Sequence, residues 1–134
     1  MFDINNAMAF TNFNPPFTNA TVDDFFEFET DDTQHFLELR EYILDDSPEI
    51  QLGLAYHVPY FTLGKKKLFY FHYFKNEQGG LKGEISFARG KDMQDVHKLF
   101  SEKNKVTKSI SLENIKHDLS LIDHYIQSAI ALVA

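Results

Sequence analysis

The sequence predicts an α+β fold in two layers, an antiparallel sheet packed against N-terminal and long C-terminal helices. Three observations point there. Two segments, roughly 33–46 and 111–133, repeat apolar residues at helical spacing. The stretch between them either alternates with period two or is apolar on both faces, as strands do. At 134 residues and 43% hydrophobic content, the chain can bury one core but is too short for two ordinary domains.

Residues 1–20 hold five asparagines and the Pro15-Pro16 pair without a usable period, and read as an irregular arm ahead of a single domain spanning 21–134. Thr21 followed three residues later by Asp24 has the form of a helix N-cap and predicts a short helix start. From Asp32 or Thr33 to Asp46, Phe36, Leu37, Leu39, Ile43 and Leu44 fall on one arc. Ser47-Pro48 ends this helix, because the residue before proline is pushed out of the helical region. Arg40 interrupts the apolar arc, so its stem should lie along the core and its guanidinium reach a carboxylate or carbonyls. Asp45 and Asp46 stand unfavourably at the negative end of the helix dipole.

Residues 50–58 alternate as one strand with Ile50, Leu52, Leu54, Tyr56 and Val58 inward. After a turn at TLGKKK, residues 67–74 are apolar or aromatic on both faces and should form a central strand. Another turn at 76–80 leads to a strand with Leu81, Ile85 and Phe87 inward and Lys82, Glu84 and Ser86 on its other face. Residues 91–100 read as a short helix or loop turning Met93, Val96, Leu99 and Phe100 inward, before a strand at 106–111. Ser111 then begins the most regular helix, with Leu112, Ile115, Leu119, Ile122, Ile126, Ala129, Ile130 and Val133 three or four apart.

Composition narrows the function classes. Without cysteine there is no disulfide, thiolate zinc site, iron–sulfur cluster or cysteine nucleophile. MFDINNAMAF has no basic segment and no sustained apolar run, which predicts neither a signal peptide nor a membrane anchor and makes a cytoplasmic protein the expectation. Residues 1–49 carry 12 acids and one base, residues 50–134 carry 8 acids and 12 bases, so an acidic helical layer over a mildly basic sheet is expected. HVPYFTLGKKKLFYFHYFK combines three lysines with aromatics, the ingredients of a nucleic-acid platform, yet stacking needs aromatics on the solvent face. A strand apolar on both sides is core instead, and no nucleic-acid partner is expected. No phosphate-binding loop, nucleophile elbow or dinucleotide fingerprint occurs, and with 20 acids sequence adjacency does not identify an acid–base pair. No enzymatic activity is therefore expected.

LELREYI (37–43), SPEI (47–50), AYHVPYF (55–61), KLFYFHYFK (67–75), FARGKDM (87–93) and VTKSISLENIKHDLSLIDHYIQSAIAL (106–132) resemble, in order and spacing, the YdhG-like family, a bacterial domain of unknown function. The resemblance runs from about residue 21 to 133 and is carried by Leu39-Arg40, Pro59-Tyr60, Arg89-Gly90 and the closing helix. It implies a small two-layer sandwich similar to frataxin. At least one relative is regarded as an iron chaperone, which implies iron as a candidate ligand and an iron–sulfur assembly or heme-synthesis protein as a partner. Our own reading is a non-enzymatic binding or accessory module, expected to be a monomer or weak dimer.

Iron handling needs exposed hard oxygen ligands that bind weakly enough to release the metal. Asp31, His35, Glu38, Tyr42 and Asp45 lie within about 40° of one line on a helical wheel, with Glu41, Asp46 and Asp24 flanking. The same pattern also describes an ordinary solvated helix face. The competing reading places a protein partner or small anionic ligand against the sheet and the HVPYF turn, where His57, Tyr60 and Arg89 would line a cleft. Against it stands the simpler account in which Arg40 anchors the fold while Pro59 and Gly90 shape a strand end and a turn. His57 and His72 could approach each other across a strand pair, whereas His117 and His124, two turns apart, are too widely spaced for the usual helical metal pair.

Overall fold

A computed structural model describes residues 21–27, 29–55, 58–101 and 106–134. Helix α1, Val22–Glu27, starts with a reciprocal cap: the Thr21 amide donates to Asp24 Oδ2 at 2.8 Å and the Asp24 amide donates to Thr21 Oγ1 at 3.2 Å. Helix α2, Thr33–Asp46, buries Phe36, Leu39 and Ile43 as the wheel predicts, and the Ser47 amide closes its last turn on the Ile43 carbonyl. Arg40 is half-buried. Its guanidinium sits 4.5 Å from the Phe26 ring centroid and donates to Glu41 Oε1 through Nε and Nη2, so its stem and charge are both used locally.

Five strands form one antiparallel meander in the order β1-β2-β3-β4-β5: Gln51–Ala55, Val58–Leu63, Lys66–Lys75, Leu81–Phe87 and Lys108–Ser111. The expected single strand at 50–58 is therefore two, β1 and β2, with Ala55 paired to Val58. VPYF, expected as a turn, is strand. Gly64 at φ 60° and Gly79 at φ 81° supply the left-handed positions of the next two turns.

Phe61, Phe69, Phe71, Tyr73, Ile85, Phe87 and Ile110 face the helices and join Phe25, Phe36, Leu39, Ile43, Ile122, Tyr125 and Ile126 in one core. Ring contacts dominate it: Phe36 lies 4.9 Å from Phe71, Phe61 4.8 Å from Phe71 and Phe25 5.3 Å from Tyr73, between centroids. Gly83 in β4 makes room for this layer, since a Cβ there would stand 2.6 Å from the Phe36 ring. Gly90 is required for a similar reason rather than for a turn conformation, because a Cβ would meet Lys108 at 2.4 Å.

The long C-terminal helix expected from 111 onward is interrupted. Leu112–Asn114 and Leu119–Ile122 are 3-10 turns, and only Asp123–Val133 is α-helix, named α3. At Asp118 the backbone leaves the helical region (φ −154°, ψ 87°) and the carboxylate accepts from the Ser120 amide and hydroxyl, a local bond that competes with helix continuation. The apolar residues still reach the core because 3-10 turns also return a side chain every three residues. Between β4 and β5, Asp95 fastens the connection to α3. Its Oδ1 accepts from the Tyr125 hydroxyl at 2.5 Å and the Leu99 amide at 2.8 Å, its Oδ2 from the Phe100 amide, while the His97 amide donates to the Tyr125 oxygen. Val96, expected to point inward, is 41% exposed. No helix among the described residues is long and apolar enough to cross a membrane.

Candidate functional site

Of the five residues on the expected acidic line, Asp31, Glu38 and Asp45 are exposed and His35 is half-buried with Nδ1 unpartnered. Glu38 accepts only a long bond from Gln34. Tyr42 is committed elsewhere: its hydroxyl donates to Asp123 Oδ1 at 2.6 Å, tying α2 to α3. That bond, with burial and the nearby carboxylates of Asp123, Asp46 and Asp118 behind it, pushes the phenol up to about 12. Among the described residues, no three His, Cys, Asp or Glu side chains come together closely enough to hold a metal ion.

The second expected set is also dispersed. His57 lies outside the described residues. Tyr60 is buried in β2 with its ring 4.7 Å from Tyr70, on the sheet face opposite the helices. Arg89 instead caps a helix, donating from Nη1 to the Leu132 carbonyl at 2.8 Å near the end of α3 and from Nη2 and Nε to Asp92.

On the same sheet face as Tyr60, the register sets His72 opposite Glu84, Tyr70 opposite Ser86 and Ser86 opposite Ser109. His72 Nε2 lies 2.9 Å from Glu84 Oε1 and 2.8 Å from Ser86 Oγ, and the Ser86 and Ser109 hydroxyls are 2.6 Å apart. Ser86 also bonds Tyr70, whose phenol burial pushes up. Glu84 and Ser86, which alternation assigns to a solvated face, are thus buried and joined through His72 Nε2, while the buried His72 Nδ1 has no partner among the described residues. These bonds across the strands favour the observed register of β3, β4 and β5.

An accessible concavity opens elsewhere, where the α1–α2 connection meets the β3–β4 turn. Thr30 Oγ1 contacts the Tyr73 hydroxyl at 2.9 Å, and the buried Asp32 carboxylate accepts from the Gly83 amide at 2.6 Å, fastening residues 29–32 to the sheet. Opposite them, Asn76 Oδ1 accepts from the Gly80 amide at 2.8 Å and stiffens the turn. The resulting groove, about 650 Å3, is lined by Glu29, Thr30, Asp31, Asn76, Gly80, Leu81 and Lys82. Glu29 and Asp31 are exposed, and among the described residues no base pairs with either. Lys82 leans away toward Glu113 at 3.9 Å. The groove can therefore offer two carboxylates to a positive group and the Asn76 side-chain amide to another part of a ligand.

Sequence reasoning named Asp31 but missed the rest. Residues 76–80 are legible as a turn, yet nothing local signals that this turn faces residues 29–31. Comparison with protein-family models, curated proteins and solved structures returned no match for this chain.

Proposed function

We propose that this chain is a non-enzymatic binding module and that it holds a positively charged group in the groove between residues 29–31 and 76–82. The supporting observation is the pair of exposed, unpaired carboxylates, Glu29 and Asp31, on the wall of a cavity of ligand size. An amine or guanidinium there would gain charge-assisted hydrogen bonds at little desolvation cost to the protein. An anionic ligand fits less well beside those carboxylates. Iron handling by the acidic face of α2, with delivery to an iron–sulfur assembly or heme-synthesis protein, is the competing proposal, and Asp31 is common to both.

One titration separates them. Wild type and the Glu29→Gln/Asp31→Asn double variant are titrated with agmatine, with arginine and, anaerobically, with ferrous iron, followed by backbone NMR. Groove binding shifts amides at 29–31 and 76–82, and the double variant weakens it by roughly tenfold or more. Iron-specific shifts along 31–46 would move the function to the helix face. No shift with the organic cations, or shifts indifferent to the double variant, would sink the groove assignment.

A further inference from the structure

The two edges of the sheet are finished differently. At the β5 edge, Phe100 bridges Ile110 and the Ser101 amide donates to the Ser109 carbonyl at 2.8 Å, so another segment of the chain covers the strand. At the other edge, β1 reads QLGLA, with no charge, proline or bulge to deter pairing. Ala55 and Val58 are the last register pair of β1 and β2, and at this separation in sequence the antiparallel pattern makes them a hydrogen-bonded pair. By alternation, residues 51 and 53 also direct their peptide groups inward, and Leu52 and Leu54 direct theirs away from β2. Among the described residues no backbone group meets them there, and Leu54 is 38% exposed.

Gly53 is the second observation. It has no left-handed φ, and a Cβ would find nothing within 4 Å, so this chain's own fold does not require glycine there. Glycine inside a strand otherwise marks the close approach of another backbone.

We infer that β1 is a strand-addition site for a second copy of this chain, paired antiparallel about a twofold axis through Gly53. The segment is self-complementary in that register. Leu52 exchanges both peptide hydrogen bonds with Leu54 of the second copy, and the converse. The two glycines face each other at a non-hydrogen-bonded position, where strands approach most closely. The leucine side chains of the two copies then cover one another, and no charge is buried. Five residues a side fall well short of a stable interface, so the dimer forms only at high protein concentration.

Sedimentation equilibrium on the full chain up to about 1 mM tests this, with circular dichroism melting to verify that each variant is folded. Wild type is expected to dimerise. Gly53→Glu and Gly53→Lys each set like charges across the axis and should weaken association at least about tenfold, while their equimolar mixture restores it as a heterodimer. Leu54→Pro, which removes only an outward amide, should also give a monomer. A wild type that stays monomeric, a dimer that survives Gly53→Glu, or a mixture that does not reassociate would each overturn the inference.

Discussion

Replacing Tyr125 with phenylalanine removes one oxygen atom and leaves a buried ring that packs against Phe87 and Phe100. The oxygen donates to the Asp95 carboxylate and accepts from the His97 amide, so its loss breaks one charge-assisted and one neutral hydrogen bond. A hydrogen bond to a charged group contributes about 1.5–3 kcal/mol, and about 2 kcal/mol is expected at pH 7 given the half-exposed carboxylate. For a chain of this length that lowers the melting temperature by roughly 6–10 °C. The loss depends on pH in a defined direction. Partial burial alone would raise the Asp95 carboxyl, but the Tyr125 hydroxyl and the Leu99 and Phe100 amides outweigh it and hold the group below its ordinary 3.8. A lowered acid stabilises the fold above its unfolded pKa, and that contribution fades as pH falls through the folded value. The phenol, raised from 10.0 to about 12 by burial and by Asp95, contributes fully below 10.0 and loses that contribution as pH rises through about 12. Denaturant melts of wild type and Tyr125→Phe across pH should therefore diverge most near neutrality and converge toward both extremes. An equal difference at all pH values, or one under about 0.5 kcal/mol at pH 7, would refute the reasoning.

Gly83→Ala drives a methyl group into the Phe36 ring and should cost about 1–3 kcal/mol in thermal melting, with Phe36→Leu in the same chain recovering part of the loss. Ser86→Ala removes the hydroxyl shared by His72, Ser109 and Tyr70; guanidinium unfolding should show about 1–3 kcal/mol lost, whereas an exposed control such as Ser120→Ala tests only a local cap. Asp123→Asn should bring the Tyr42 phenol back from about 12 toward 10.0, read as phenolate absorbance appearing at lower pH, a transition that the Tyr42→Phe variant lacks.

Where chemistry was local, the fold was legible. Thr21 and Asp24 announce a cap and make one, and of the two-sided strand expected at 67–74, residues 68–73 are buried on both faces as their composition requires. Legibility failed where two structures share one pattern. Alternation from 50 to 58 continues through the β1–β2 connection because Tyr56-His57 carries none of the glycine, asparagine or proline that usually marks a turn. A three- or four-residue repeat is common to α-helix and successive 3-10 turns, so only the local carboxylate bonds of Asp118 distinguish them. Polar alternation in β4 was read correctly but its environment was not, since burial of Glu84 depends on His72, twelve residues upstream and on another strand. The groove was largely invisible for the same reason: its walls meet only through the tertiary contacts of Thr30 with Tyr73 and Asp32 with Gly83.

The meander has a consequence for the order of assembly. Every strand pairs with its neighbour in sequence, so β1 through β4 can form by successive hairpin closures, each fixing a short loop before the next. β5 differs, because residues 88–107 must be spanned before it can dock on β4. That pairing is therefore expected to close last in the sheet, and Asp95 fastens the long connection to α3. In native-state hydrogen exchange, β5 should therefore open at lower free energy than β3 and β4, as the last strand added to a sheet that otherwise assembles from one end.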